Sequence, residues 1–184
     1  MSLTESSICD LDWEASDFSL LGVDNKIYSL SSIAGSNATL VMFICNHCPY
    51  VLAIIERLVD DIKQLQKNGI GVIAIMPNAT ELVPKDSFDR MKAFSKEKTF
   101  SFPYVIDETQ NVAKTYNAVC TPDFFGFNSE LKLQYRGRLD EAGKNPSTPN
   151  TKKELLHAMM AIAETGKGPT LQTPSIGCSI KWRE

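Results

Sequence analysis

Residues 38–44, Ala-Thr-Leu-Val-Met-Phe-Ile, carry a single polar side chain. A run of this kind suits a strand covered on both faces in a largely parallel sheet. Val51, Ile54, Ile55, Leu58, Val59, Ile62 and Leu65 then recur at helical spacing. They make the apolar stripe of an amphipathic helix, with Glu56, Arg57, Asp60, Asp61, Lys63 and Gln64 on its polar side. Asn68-Gly69 supplies a C-cap, and Ile70 to Met76 forms a second buried strand stopped by Pro77. Residues 38–76 are thus predicted to be a strand–helix–strand unit with a right-handed crossover, the nucleus of an α/β fold.

The rest of the chain adds smaller elements. Asp17 to Leu30 reads as a hairpin turning at Asp24-Asn25, Asp86 to Lys96 as a helix starting at Asp86-Ser87, and Phe102 to Ile106 as a short strand. Asp107 to Gln110 has the spacing of a capping box opening a helix to about Tyr116. Phe124 to Phe127 and Leu131 to Arg138 form a hairpin. A second capping box, Thr151-x-x-Glu154, opens a helix that ends at Gly166. One domain over residues 1–184 is expected, with its core at about 38–165.

A chain of 184 residues can bury roughly 70% of its unfolded surface, so cysteines are not needed merely to hold it together. There are five, Cys9, Cys45, Cys48, Cys120 and Cys178, an odd number that does not fit a secreted disulfide framework. A net charge of −3 without a cluster of Lys and Arg argues against nucleic-acid or anionic-membrane partners. Residues 1–10 have no basic and apolar leader pattern, and the longest apolar run, residues 40–45, cannot span a bilayer. The expectation is a cytoplasmic chain with its thiols reduced at rest.

Cys45-Asn46-His47-Cys48 falls where the first buried strand meets the long helix. Cysteines three apart at a helix start have Cα atoms about 5–6 Å apart, which suits a reversible disulfide. Cys45 is expected at the positive end of the helix dipole, where a thiol becomes acidic and nucleophilic. Pro49 fits the first helical turn, and His47 is a candidate to stabilise the Cys45 thiolate.

Three segments, Phe43-Ile44-Cys45-Asn46-His47-Cys48-Pro49-Tyr50-Val51, Cys120-Thr121-Pro122-Asp123-Phe124-Phe125 and Ser175-Ile176-Gly177-Cys178-Ser179-Ile180-Lys181-Trp182, resemble the thioredoxin-like superfamily and its peroxiredoxin-like, AhpC/TSA-related branch. The resemblance implies a thioredoxin-like α/β fold: a mixed central sheet flanked by helices, with a peroxiredoxin-type insertion between the second strand and the C-terminal hairpin. It also implies a cis Thr121-Pro122 bond facing the redox cysteines and presenting its backbone to a substrate strand. The chain departs from the superfamily at Ile44, where thioredoxins carry tryptophan, and at Thr39, where they carry a buried acid. The proton acceptor for Cys48 is therefore unassigned. The peroxidase motif is absent too: its proline and threonine positions hold Val41 and Cys45 counted from Cys48, or Ala38 and Met42 counted from Cys45.

The function expected is thiol–disulfide exchange. Cys45 attacks a protein or small-molecule disulfide, Thr121-Pro122 holds the mixed disulfide, Cys48 resolves it, and an external thiol reductant restores the pair. No cofactor or metal is called for. Cys120 and Cys178 are candidate accessory thiols, Cys178 packing on the apolar face of an extended C-terminal segment that includes Ile176, Ile180 and Trp182. Cys9 is incidental. Two alternatives stand: a thiol peroxidase in which a hydroperoxide oxidises Cys45 or Cys48, and a metal-binding or redox-sensing module, for instance with four thiolates around zinc. Arg136 and Arg138, alternating on a strand, read as a solvated face, with a substrate-facing guanidinium as the alternative, and the Asp60-Asp61 pair reads as the polar side of the long helix.

Overall fold

The computed structural model describes residues 3–6 and 11–183. The N-terminal part contains strands β1 (Leu3–Glu5), β2 (Ser19–Gly22) and β3 (Ile27–Ser29) and the short helix α1 (Leu30–Ile33). The central unit is β4 (Ala38–Phe43), α2 (Pro49–Lys67) and β5 (Ile70–Met76). A 3-10 turn at Pro84–Asp86, α3 (Phe88–Glu97), β6 (Tyr104–Ile106) and α4 (Asn111–Thr115) follow. The chain then forms β7 (Cys120–Thr121), β8 (Asp123–Asn128), β9 (Leu133–Tyr135), α5 (Glu154–Thr165) and β10 (Ile176–Ser179).

Seven strands make a mixed sheet in the order β3-β2-β6-β5-β4-β8-β9, with β5 parallel to both of its neighbours β4 and β6. Every residue of β4 is buried because both faces of that strand are covered. Leu40 and Met42 pack with α2 and α5 in one core, whereas Val41 and Phe43 pack with Tyr116, Phe125 and Phe127 in the other. This two-sided burial is what the apolar run demands. All seven stripe residues of α2 are buried, each contributing about 1.5–3 kcal/mol on the area scale. The N-terminal hairpin turns at Asp24-Asn25 as expected, with Asn25 at φ 64°.

A second sheet, β1-β10-β7, laces the two ends of the chain together. Cys178 lies opposite Thr121 and Leu3 opposite Cys178, so the C-terminal strand is paired along both edges.

Five polar expectations need correction. Asp61 is buried, not solvated, and its carboxylate meets Lys153 Nζ at 2.7 Å. Arg136 is likewise buried against Asp123, and Arg138 pairs with Glu154. Neither capping box forms. Gln110 sits in a left-handed conformation with its side chain on the carbonyls of Pro77 and Lys181, and the Asp107 carboxylate accepts from the amides of Ala113 and Val112 as well as that of Gln110. Thr151 accepts from the Thr148 amide, so α5 begins after Lys153 without a side-chain cap. In each case a tertiary or loop partner outcompetes the local one.

Candidate active site

Residues 44–48 carry the chain from β4 into α2. Pro49 occupies the first helical turn, where its missing N–H leaves nothing unpaired, and Cys48 is the N-cap. The helix end therefore belongs to Cys48 and not to Cys45, contrary to the sequence expectation. Both sulfurs are fully buried.

The electrostatics follow this placement. The Cys48 sulfur accepts from the Cys45 thiol first, then, against the opposing cost of burial, from the Cys178 thiol and the amides of Val51 and Cys178. Together these lower its pKa to about 5. When protonated, Cys48 donates to the Thr121 carbonyl at 3.1 Å. Cys45 is pushed well above the ordinary thiol range by its hydrogen bond to Cys48, by burial and by the charge of Asp86. The Thr121 hydroxyl, at 3.3 Å, acts in the opposite direction. The surroundings of the pair thus favour the negative charge on Cys48 and the proton on Cys45.

His47 lies beside Cys45, with Nδ1 at 3.7 Å from its sulfur, but the same Nδ1 is 2.8 Å from Asp86 Oδ2. The His47 ring nitrogen that faces Cys45 is therefore taken more closely by the Asp86 carboxylate. Asp86 also accepts from the Asn46 amide at 2.9 Å and Asn78 Nδ2 at 2.7 Å. Asn78 in turn accepts from the Lys181 amide, which ties the site to the C-terminal segment. Asp86 and Asn78 were invisible as site residues in the sequence: Asp86 read as a helix start, and only the fold folds the 3-10 turn back onto Cys45. Thr39, at the position of the missing acid, merely accepts from the Gly35 amide.

Cys45, His47 and Asp86 offer ligand atoms all within 4.8 Å of one another, a mixed set and not the four thiolates considered from sequence. Three of the carboxylate's lone-pair directions are already used by His47 and the two amide donors.

The Thr121-Pro122 bond is cis, and Thr121 meets the sulfurs of both Cys45 and Cys48. The expected substrate-holding edge, however, is taken: β10 pairs with β7, placing Cys178 opposite Thr121. A substrate strand can pair there only after β10 leaves. Cys178 joins Cys45 and Cys48 through its hydrogen bond to Cys48, although Ile176, assigned to the same apolar face, is 44% exposed. Cys120 points elsewhere, donating to the Pro122 carbonyl at 3.5 Å, and burial holds its thiol far above the ordinary range. Cys9 lies outside the described residues. A surface groove of about 410 Å³ opens beside Asn46 and His47, lined also by Leu52, Lys85, Arg90 and Phe94.

A mixed sheet flanked by helices, paired cysteines between a central strand and the long helix, and a cis-proline against them define a thioredoxin-like protein. The chain belongs to the AhpC/TSA family, which matches residues 12–136. No curated protein matches the sequence. Among solved structures it is similar to an uncharacterized conserved protein from Geobacillus kaustophilus, at 42% identity and a TM-score of 0.93 over 100% of this chain and 97% of that one. It is similar also to a hypothetical protein from Sinorhizobium meliloti 1021, at 37% identity and a TM-score of 0.92 over 98% of each chain. A secreted disulfide oxidoreductase from Mycobacterium tuberculosis shares the fold, with 15% identity and a TM-score of 0.59 over 78% of this chain and 95% of that one. Family membership supports a thiol redox function in general. No helix among the described residues is long and apolar enough to cross a membrane.

Proposed function

We propose that the protein is a cytoplasmic thiol–disulfide oxidoreductase whose working pair is Cys45 and Cys48, cycling between dithiol and disulfide. The observation that carries this reading is the placement of the two buried cysteines at the β4–α2 junction against the cis Thr121-Pro122 bond, with Cys48 as the N-cap of the long helix, where the field favours a thiolate. The first attack is therefore assigned to Cys48 and the second to Cys45, the reverse of the order expected from the sequence. The Cys48 thiolate attacks one sulfur of a substrate disulfide, the substrate S–S bond breaks, and the departing thiolate takes a proton. Cys45, now deprotonated, attacks the Cys48 sulfur and releases the second substrate thiol. Two electrons have passed to the substrate, the protein carries a Cys45–Cys48 disulfide, and an external thiol reductant restores it. Stabilising the thiolate of the reduced form makes that disulfide the more oxidising.

One observation favours a second reading. Neither sulfur has exposed surface, and β10 covers the Thr121 edge, so a hydroperoxide reaches the pair more easily than a folded protein does. In that chemistry the Cys48 thiolate displaces water or an alcohol from the peroxide and becomes a sulfenic acid, which Cys45 converts to the disulfide with loss of water.

The two readings separate by measuring turnover of a small disulfide and of hydrogen peroxide with wild type and Cys48→Ser. Disulfide turnover lost in Cys48→Ser, with slow peroxide turnover in wild type, is the expected result. Full disulfide turnover by Cys48→Ser would overturn the assignment, and peroxide turnover faster than disulfide turnover would establish the second reading.

A further inference from the structure

Cys48 has two thiol neighbours, not one. Besides Cys45, the Cys178 thiol hydrogen-bonds the Cys48 sulfur, and the Cys178 backbone N–H points to it as well. The register explains how a residue 130 positions away arrives there. Cys178 stands opposite Thr121 in the antiparallel β7–β10 ladder, and the Thr121 carbonyl is the group that Cys48 reaches at 3.1 Å. Ile176 and Cys178 share a face of β10: Cys178, 5% exposed, lies where the strand packs on α2, and Ile176, 44% exposed, lies at the strand's open start.

Gly177 permits the close approach. A Cβ there would fall 2.1 Å from the Thr121 carbonyl oxygen and 3.0 Å from the Pro122 nitrogen, so only glycine lets β10 lie this near. The strand is held on every side: β1 pairs its outer edge, Ser175 Oγ donates to the Pro122 carbonyl at 2.7 Å, and Gln110 and Ala79 donate to the Lys181 carbonyl.

We propose that Cys178 is a third redox thiol, and that the disulfide formed between Cys45 and Cys48 migrates to Cys48 and Cys178, tying the C-terminal strand covalently to the start of the long helix. The proposal rests on the dithiol reading above. The step is an isomerisation with no net oxidation. The Cys178 thiolate attacks the Cys48 sulfur, the Cys45–Cys48 bond breaks as the Cys48–Cys178 bond forms, and Cys45 leaves as a thiolate that takes up the proton Cys178 lost. Oxidation itself changes the balance at Cys178. In the reduced protein its pKa is raised to about 11, by burial and then by its hydrogen bond to Cys48 and the Cys48 charge. Once Cys48 is in a disulfide that charge is gone, and the ammonium of Lys181 still favours the Cys178 thiolate. The product leaves Cys45 reduced beside His47 and the groove while β10 is locked over Thr121.

The test is to oxidise the full-length protein with one equivalent of diamide, quench in acid with N-ethylmaleimide, and map disulfide-linked peptides by mass spectrometry. Wild type is expected to yield both Cys45–Cys48 and Cys48–Cys178 linkages, Cys178→Ser only the first, and Cys45→Ser only the second. Cys45–Cys48 alone in wild type, with no Cys48–Cys178 linkage in Cys45→Ser, would overturn the proposal and leave the dithiol reading intact. Absence of both linkages in wild type would overturn the proposal and the dithiol reading together. The wild-type map decides the matter even where a serine variant does not fold.

Discussion

Asp123 and Asp86 are both enclosed carboxylates, one directly after the cis-proline and the other beside Cys45, yet their partners differ in kind. Asp123 meets a full countercharge: Arg136 Nη2 lies 3.0 Å away, also donates to the Asn117 carbonyl, and stacks over the Phe125 ring at 4.5 Å. Burial still raises its carboxyl to about 6. Asp86 is held by the neutral donors Asn46 and Asn78 together with His47. The consequence shows at the nearest thiols. At Cys120 the fields of Asp123 and Arg136 oppose each other, whereas Asp86 acts on Cys45 as a distinct negative charge that keeps the proton there. A carboxylate locked to a guanidinium is architecture; one held by amides and an imidazole retains a field that a neighbouring sulfur feels.

The largest effect expected on breaking this contrast is at Arg136→Ala. Removing one partner of a buried ion pair costs about 3–5 kcal/mol, and urea unfolding should show it. The pH dependence of Cys48 alkylation should stay where it is in that variant; a loss under about 1 kcal/mol would mean the pair is not structural. Next comes Gly177→Ala, which must push β10 off Thr121, at about 1–3 kcal/mol by the cost of overpacking. It should also raise the pH at which Cys48 alkylates, since two Cys178 donors are drawn away.

Alkylation of Cys48 by iodoacetamide in wild type is expected to be half-maximal near pH 5, far below an ordinary thiol. The sign for stability follows: a thiol depressed in the folded state contributes stability above its unfolded pKa and loses it as pH falls through about 5. An inflection at an ordinary thiol pKa would remove the basis for assigning Cys48 the first attack. The smallest expected change is in Asp86→Asn, where the Cys45 titration moves downward because one like charge has gone. No shift in that titration would show that Asp86 does not set the proton's position.

The amino-acid sequence by itself determined the central strand–helix–strand unit and where the paired cysteines sit in it. Both are local: an unbroken apolar run and a helical stripe each have one low-energy way of burying themselves, and the junction between them follows from chain order. Resemblance supplied the cis Thr121-Pro122 bond. Tertiary structure set the surroundings of the cysteine pair: beyond the local Cys45–Cys48 hydrogen bond, Cys178 reaches Cys48 from the C-terminal strand and Asp86 reaches Cys45 from the 3-10 turn. It decided likewise that Arg136 and Asp61 are buried and that the two capping boxes give way, since a polar side chain takes whichever partner the packed chain brings nearest. Periodicity reports burial; the identity of the neighbour across the fold leaves no trace in it.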